Sequence, residues 1–140
     1  MSSEERRENP YELLSHTADL AMRVYGRDLP ELFVNAARAM FDVMTVSPEK
    51  GTVERHLLLD AGDTEALLVD WLNELNFLHE TEEETYTQFV LDEFTPTHLS
   101  ARVSGGPTVE KTLVIKAATY HELRIVPTDA GVEATIVFDI

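Results

Sequence analysis

The stretch Leu14-Ser15-His16-Thr17-Ala18-Asp19 sets two hydroxyls, an imidazole and a carboxylate directly ahead of the alternating run Leu20-Ala21-Met22-Arg23-Val24-Tyr25. At the other end, Asp139 and Ile140 close an apolar strand-like run, Thr135-Ile136-Val137-Phe138, with a carboxylate beside the last residue's own. If a sheet brings these two ends together, hard oxygen ligands converge. Such a set suits calcium or magnesium, whereas zinc and copper favour nitrogen and sulfur. The commoner roles of these residue types remain in play: Asp19 as a turn or capping aspartate bonded to nearby backbone, and His16 as a structural histidine.

Composition narrows what those residues can serve. A chain of 140 residues is expected to form one domain with a core of its own, from residue 1 to 140, with residues 1–10 as a flexible charged arm ending in Asn9-Pro10. With no cysteine, disulfides, thiolate metal sites and cysteine nucleophiles are excluded. Against 26 acidic residues stand 11 basic ones, a formal net charge of -15. That field repels a phosphate backbone, so no stable direct nucleic-acid binding is expected; it favours cations and basic partner proteins, or simply keeps the chain in solution. No apolar run approaches the roughly 20 residues that span a bilayer, and the first residues lack a hydrophobic signal core, so no membrane partner and a cytoplasmic location are expected.

The elements that must position the two ends follow from periodicity. Leu20, Met22 and Val24 alternate as one face of a strand that stops at Gly26. Asp28, Pro30 and Glu31 are a helix start, and Leu32, Phe33, Ala36, Met40, Phe41 and Met44 make one apolar stripe to about Met44, with core packing the simpler use of its methionines. Val53 to Leu59 reads as a strand. Asp63 caps a second helix whose Leu67, Leu68, Trp71, Leu72, Leu75 and Leu78 face the core, leaving Asp70, Asn73 and Glu74 outward. Glu80 to Glu84, with four glutamates in five residues, reads as a solvated acidic connector. Thr85 to Phe94 and His98 to Val103 form an antiparallel pair, Lys111 to Thr119 fits neither period, and Tyr120 to Val126 with Val132 to Phe138 make a closing hairpin. The class is α+β: a mixed, largely antiparallel sheet with two main helices packed on it, in the order strand, helix, strand, helix, then antiparallel strands. Gly105-Gly106 lacks the spacing of either phosphate-binding loop.

Ser15-His16-Thr17-Ala18-Asp19, Asp70-Trp71-Leu72-Asn73-Glu74-Leu75, Lys116-Ala117-Ala118-Thr119-Tyr120-His121 and Phe138-Asp139-Ile140, in this order over nearly the whole chain, resemble the archease family. The resemblance implies an accessory protein of tRNA splicing, not itself an enzyme, that activates the GTP-dependent ligase joining exon halves through a 3'-phosphate end. It promotes guanylylation of that ligase and multiple turnover. The resemblance further implies a divalent ion, calcium, held by Asp19, Asp139 and Ile140. Lys116 and His121 would contact the partner or a phosphate; their plainer roles are a solvated edge and pairing within the sheet. An older view of the family, as a chaperone of an RNA methyltransferase, is the second reading. A metal-dependent phosphoesterase using Asp19, Asp139 and His16 or His121 is a third, weakened because two-metal chemistry needs more carboxylates than these ends offer.

Overall fold

In a computed structural model, residues 10–15, 19–48 and 51–140 are described. The expected N-terminal arm, but for Pro10, and His16 lie outside them. The order is β1 (Tyr11–Ser15), β2 (Asp19–Gly26), α1 (Leu29–Met44), β3 (Val53–Asp60), α2 (Thr64–Glu82), β4 (Glu84–Thr95), β5 (His98–Pro107), β6 (Ala117–Ala118), β7 (Ile125–Thr128) and β8 (Gly131–Asp139). The α+β class holds, and the strands divide between two sheets. One runs β1-β2-β8 with β6 and β7 side by side along the far edge of β8; the other runs β3-β5-β4. All ladder pairs among the described residues are antiparallel.

Both helices start where their caps predict. Asp28 Oδ1 accepts from the Glu31 N–H at 3.0 Å, which satisfies a donor the helix leaves open, and Glu31 in turn accepts from the N–H of Arg27, just ahead of the cap, at 3.0 Å. Asp63 does the same for the Ala66 N–H at 2.7 Å. Helix α2 ends at Glu83, whose φ of 55° is the left-handed turn-out common at helix ends.

Helix α1 touches β2 and β8 of the first sheet and β4 of the second; α2 touches β3 and β4 on one side and β6 on the other. The helices therefore join the sheets into one core. Their buried arcs are correspondingly wide: Leu32, Phe33, Ala36, Ala37, Met40 and Met44 on α1, and Leu67, Leu68, Trp71, Leu72 and Leu75 on α2, are all inaccessible or nearly so. The methionine stripe is core. Trp71 is fully buried and its indole N–H donates to the Phe33 carbonyl at 2.9 Å, which satisfies its one polar atom. Among the described residues, no helix is long and apolar enough to cross a membrane.

Two local expectations are corrected. The strand read from Tyr120 to Val126 is confined to Ile125–Thr128, because Tyr120 to Arg124 must cross between two separate pairings on the same edge of β8. That crossing is a turn closed by the Leu123 N–H on the Tyr120 carbonyl at 3.1 Å, with Glu122 at φ 54°. The acidic connector is likewise not uniformly solvated. Glu84 opens β4, is 7% exposed, and accepts from Arg55 Nε and an Arg55 terminal nitrogen, each at 2.9 Å, and from the Tyr86 hydroxyl at 2.7 Å.

Candidate metal-binding site at the sheet end

The two ends of the chain meet as neighbouring strands. The β2–β8 ladder runs unbroken from Gly26↔Val132 to Asp19↔Asp139. Because side chains alternate along a strand, Leu20 and Phe138 point into the core, at 4% and 0% exposure, and Asp19 and Asp139 share the opposite, open face. Directly opposed antiparallel residues have Cβ atoms about 5 Å apart, and like charges so placed repel. A sheet that ends on two facing carboxylates thus has an electrostatic demand that a cation relieves.

A third strand holds Asp139 from its other side. Ala117 is its partner in β6, and the Lys116 N–H donates to the Asp139 carbonyl at 2.8 Å. Next along, the Thr119 N–H and hydroxyl both donate to the Val137 carbonyl, at 2.9 and 2.8 Å. Ile140 follows Asp139, half-buried and packed against the core. Among the described residues no group of three or more histidine, cysteine, aspartate or glutamate side chains is placed to hold a metal. Asp19 and Asp139 offer two facing carboxylates, and Ile140 is the next residue along the chain. This all-oxygen set fits calcium or magnesium and does not fit a metal seeking nitrogen or sulfur.

The remaining candidates are placed as follows. Lys116 is exposed beside Asp139, joined to it by backbone. His121 is exposed in the turn after β6; Glu122 lies 3.9 Å from its ring, and no contact joins it to the aspartate pair. His16 lies outside the described residues.

Two features escaped the sequence reading. Asn73, expected to face outward, is half-buried: its Nδ2 donates to the Ala118 carbonyl at 3.1 Å and its Oδ1 accepts from the Ala118 N–H at 2.7 Å. Asn76, one turn on, is buried and donates to the Ile115 carbonyl at 2.8 Å. The signal was the i, i+3 spacing of two amides beside Leu72 and Leu75, which puts both at the margin of the apolar arc. The second is the Arg55–Glu84–Tyr86 cluster. Hydrogen bonds from Arg55 hold the Glu84 carboxyl below the usual carboxylate range against the opposing effect of its burial, and burial together with Glu84 pushes the Tyr86 hydroxyl up. Glu84 and Tyr86, two apart in a strand, necessarily share a face.

The chain matches the Archease protein family (MTH1598/TM1083) over residues 11–140. Protein archease of Methanosarcina mazei is 39% identical over 140 residues, covering 93% of this chain and 95% of that one. Protein archease of Methanothermobacter thermautotrophicus is 35% identical over 139 residues, covering 93% and 98%. The solution structure of Methanobacterium thermoautotrophicum protein 1598 superposes with a TM-score of 0.75 at 31% identity, over 94% of this chain and 99% of that one. A crystal structure from Thermotoga maritima, of an archease described as a possible chaperone, shares the fold with a TM-score of 0.66 at 23% identity, over 91% and 94%. Sequence likeness along nearly the full length and the same arrangement of strands and helices lead to one conclusion: this chain belongs to the archease family.

Proposed function

We propose that this protein is an accessory protein of tRNA splicing that activates the GTP-dependent 3'-phosphate tRNA ligase, promoting its guanylylation and repeated turnover. Asp19, Asp139 and Ile140 hold a divalent cation, calcium, at the surface presented to the ligase. The observation that carries this reading is the unbroken β2–β8 ladder, which ends with two carboxylates facing each other in the open. When bound, the cation supplies a hard Lewis acid able to take phosphate oxygens as further ligands. The chain's own part is to hold the carboxylates apart from the core and fixed on three strands, so that the site is rigid when it meets the partner.

The net charge of -15 supports a basic protein as that partner, because it favours encounter with positive surfaces and opposes direct hold on RNA. A single pair of facing carboxylates suits one cation rather than the paired ions of two-metal hydrolysis, which supports an accessory over a hydrolytic role.

The test is tRNA-half ligation with ligase held well below substrate concentration, with and without this protein. The expected result is that the parent chain restores multiple turnover, and that Asp139→Asn and chelation each remove the effect. Full activation by Asp139→Asn would refute the metal-dependent role. Activation of an RNA methyltransferase instead, with ligation unchanged, would favour the chaperone reading.

A further inference from the structure

Strand β6 is two residues long, which is too short to keep its register by ladder bonds alone. Yet it lies against Asp139, so its position matters to the site. Besides the bonds of Lys116 and Thr119 to β8, what anchors it is the side of α2 that carries Asn73 and Asn76. The Asn73 amide both donates to and accepts from Ala118, at 3.1 and 2.7 Å, the pair of bonds that a neighbouring strand would make. Asn76 holds the carbonyl of Ile115 at 2.8 Å. The two anchors bracket Lys116 and Ala117, which are the residues in contact with Asp139: one by a 2.8 Å backbone hydrogen bond, the other as its register partner.

Asn76 supplies a second, independent observation. It is 6% exposed, and its Oδ1 is buried without a hydrogen-bond partner. A buried, unpaired acceptor is a cost to the fold, and an apolar side chain of similar size would avoid it. The return on that cost is the bond to Ile115, which fixes a segment with no helix or ladder of its own before Ala117.

We infer that Asn73 and Asn76 are positioning residues for the cation pair: from α2 they fix the β6 backbone, and β6 fixes Asp139 opposite Asp19. This rests on the reading that Asp19 and Asp139 hold a divalent cation. Groups that act on a metal only through its ligands commonly change its affinity by 10- to 100-fold, and these amides act at one further remove.

The experiment is calorimetric titration of calcium chloride into the full chain and into Asn73→Ala, Asn76→Leu, Asp139→Asn and Leu57→Val. Each titration is made well below that variant's melting temperature, with circular dichroism recording that it is folded. Leu57 lies in the other sheet, so its truncation lowers stability without touching β6. The expected result is a calcium Kd weakened roughly tenfold in Asn73→Ala and in Asn76→Leu. Leu57→Val should lower Tm at unchanged Kd, and Asp139→Asn should abolish binding. In hydrogen exchange, the Lys116 and Ala118 amides should lose protection in the asparagine variants while the amides of β5 keep theirs. Parental Kd in both asparagine variants, with binding lost in Asp139→Asn, overturns the positioning role and leaves the metal site standing. No calcium binding by the parent, or parental Kd in Asp139→Asn, overturns both. Should one asparagine variant fail to fold, the other carries the comparison.

Discussion

Asp139→Asn should stabilise the metal-free protein and destabilise the calcium-loaded one. The change preserves side-chain size and removes one of two facing carboxylates on the open end of the β2–β8 ladder. Opposed residues there are about 5 Å apart, and two unit charges at that separation repel by about 0.8 kcal/mol at the dielectric constant of water, the appropriate limit for exposed groups. For a domain of this length that corresponds to a rise of about 3 °C in Tm. Calcium acts in the opposite direction. At a hundred times its Kd, calcium bound at the proposed site should stabilise the parent by about 2.7 kcal/mol, since only the folded state presents the pair. The variant, lacking one ligand, gains little. The ranking of the two proteins therefore inverts: the variant melts higher in chelator by about 3 °C, and the parent melts higher in saturating calcium by about twice that. Differential scanning calorimetry on both proteins, in both conditions, measures all four values. The reasoning is refuted if Asp139→Asn melts lower than the parent in chelator, or if calcium raises both by the same amount. The first result would mean the carboxylate has a favourable partner in the metal-free fold, and the second that calcium acts elsewhere.

Trp71→Ala empties the centre of the core and removes the indole's bond to the Phe33 carbonyl, so it should cost about 3 to 5 kcal/mol by urea unfolding while surface cation binding survives in whatever fraction stays folded. Arg55→Met leaves Glu84 buried without its cation. Glu84's carboxyl lies below its unfolded value in the parent, so its contribution is complete above the ordinary carboxylate range and is lost as pH falls through the lower, folded value. Without Arg55, burial raises that carboxyl above its unfolded value, so the charged Glu84 destabilises the fold at neutral pH and is relieved as it takes up a proton; the deficit in urea midpoint relative to the parent should be largest near neutral pH and narrow as pH falls into acid, and a deficit independent of pH would contradict this. Gly105→Ala would place a Cβ 1.9 Å from the Thr85 carbonyl oxygen, where β5 passes close to β4, and should cost at least about 2 kcal/mol because backbone must move. An unchanged Tm for that variant would show that the two strands have room to part.

How far the sequence determined this protein can be judged element by element. Asp28 with Glu31, and Asp63 with the apolar spacing behind it, fix where both helices begin and where α1 ends, because capping and periodicity are local properties; α2 runs on through Glu82, into the stretch whose glutamates read as a connector. The alternation of Leu20, Met22 and Val24, and of Ala134, Ile136 and Phe138, likewise determines which faces are buried, and so that Asp19 and Asp139 sit on open ones. The archease resemblance, read from four short motifs, implied a joint role for those two aspartates, and the β2–β8 register sets them opposite each other. Neither alternation nor composition could say that β2 and β8 are neighbours, or that their register brings Asp19 opposite Asp139. A ladder slipped by two residues would bury the same side chains and part the carboxylates. That register was decided by the closed packing of two sheets on one helical pair.

Asn73 and Glu84 make the same point from the other direction. By composition each belongs on a solvated surface, and for an isolated helix or connector that would be so. In the folded chain Asn73 meets the bare edge of a two-residue strand, and Glu84 meets Arg55 from β3, partners 45 and 29 residues away. A polar side chain at the margin of an apolar arc is exposed or bonded according to what the tertiary structure brings beside it. That is a long-range fact, which no local pattern of residues encodes.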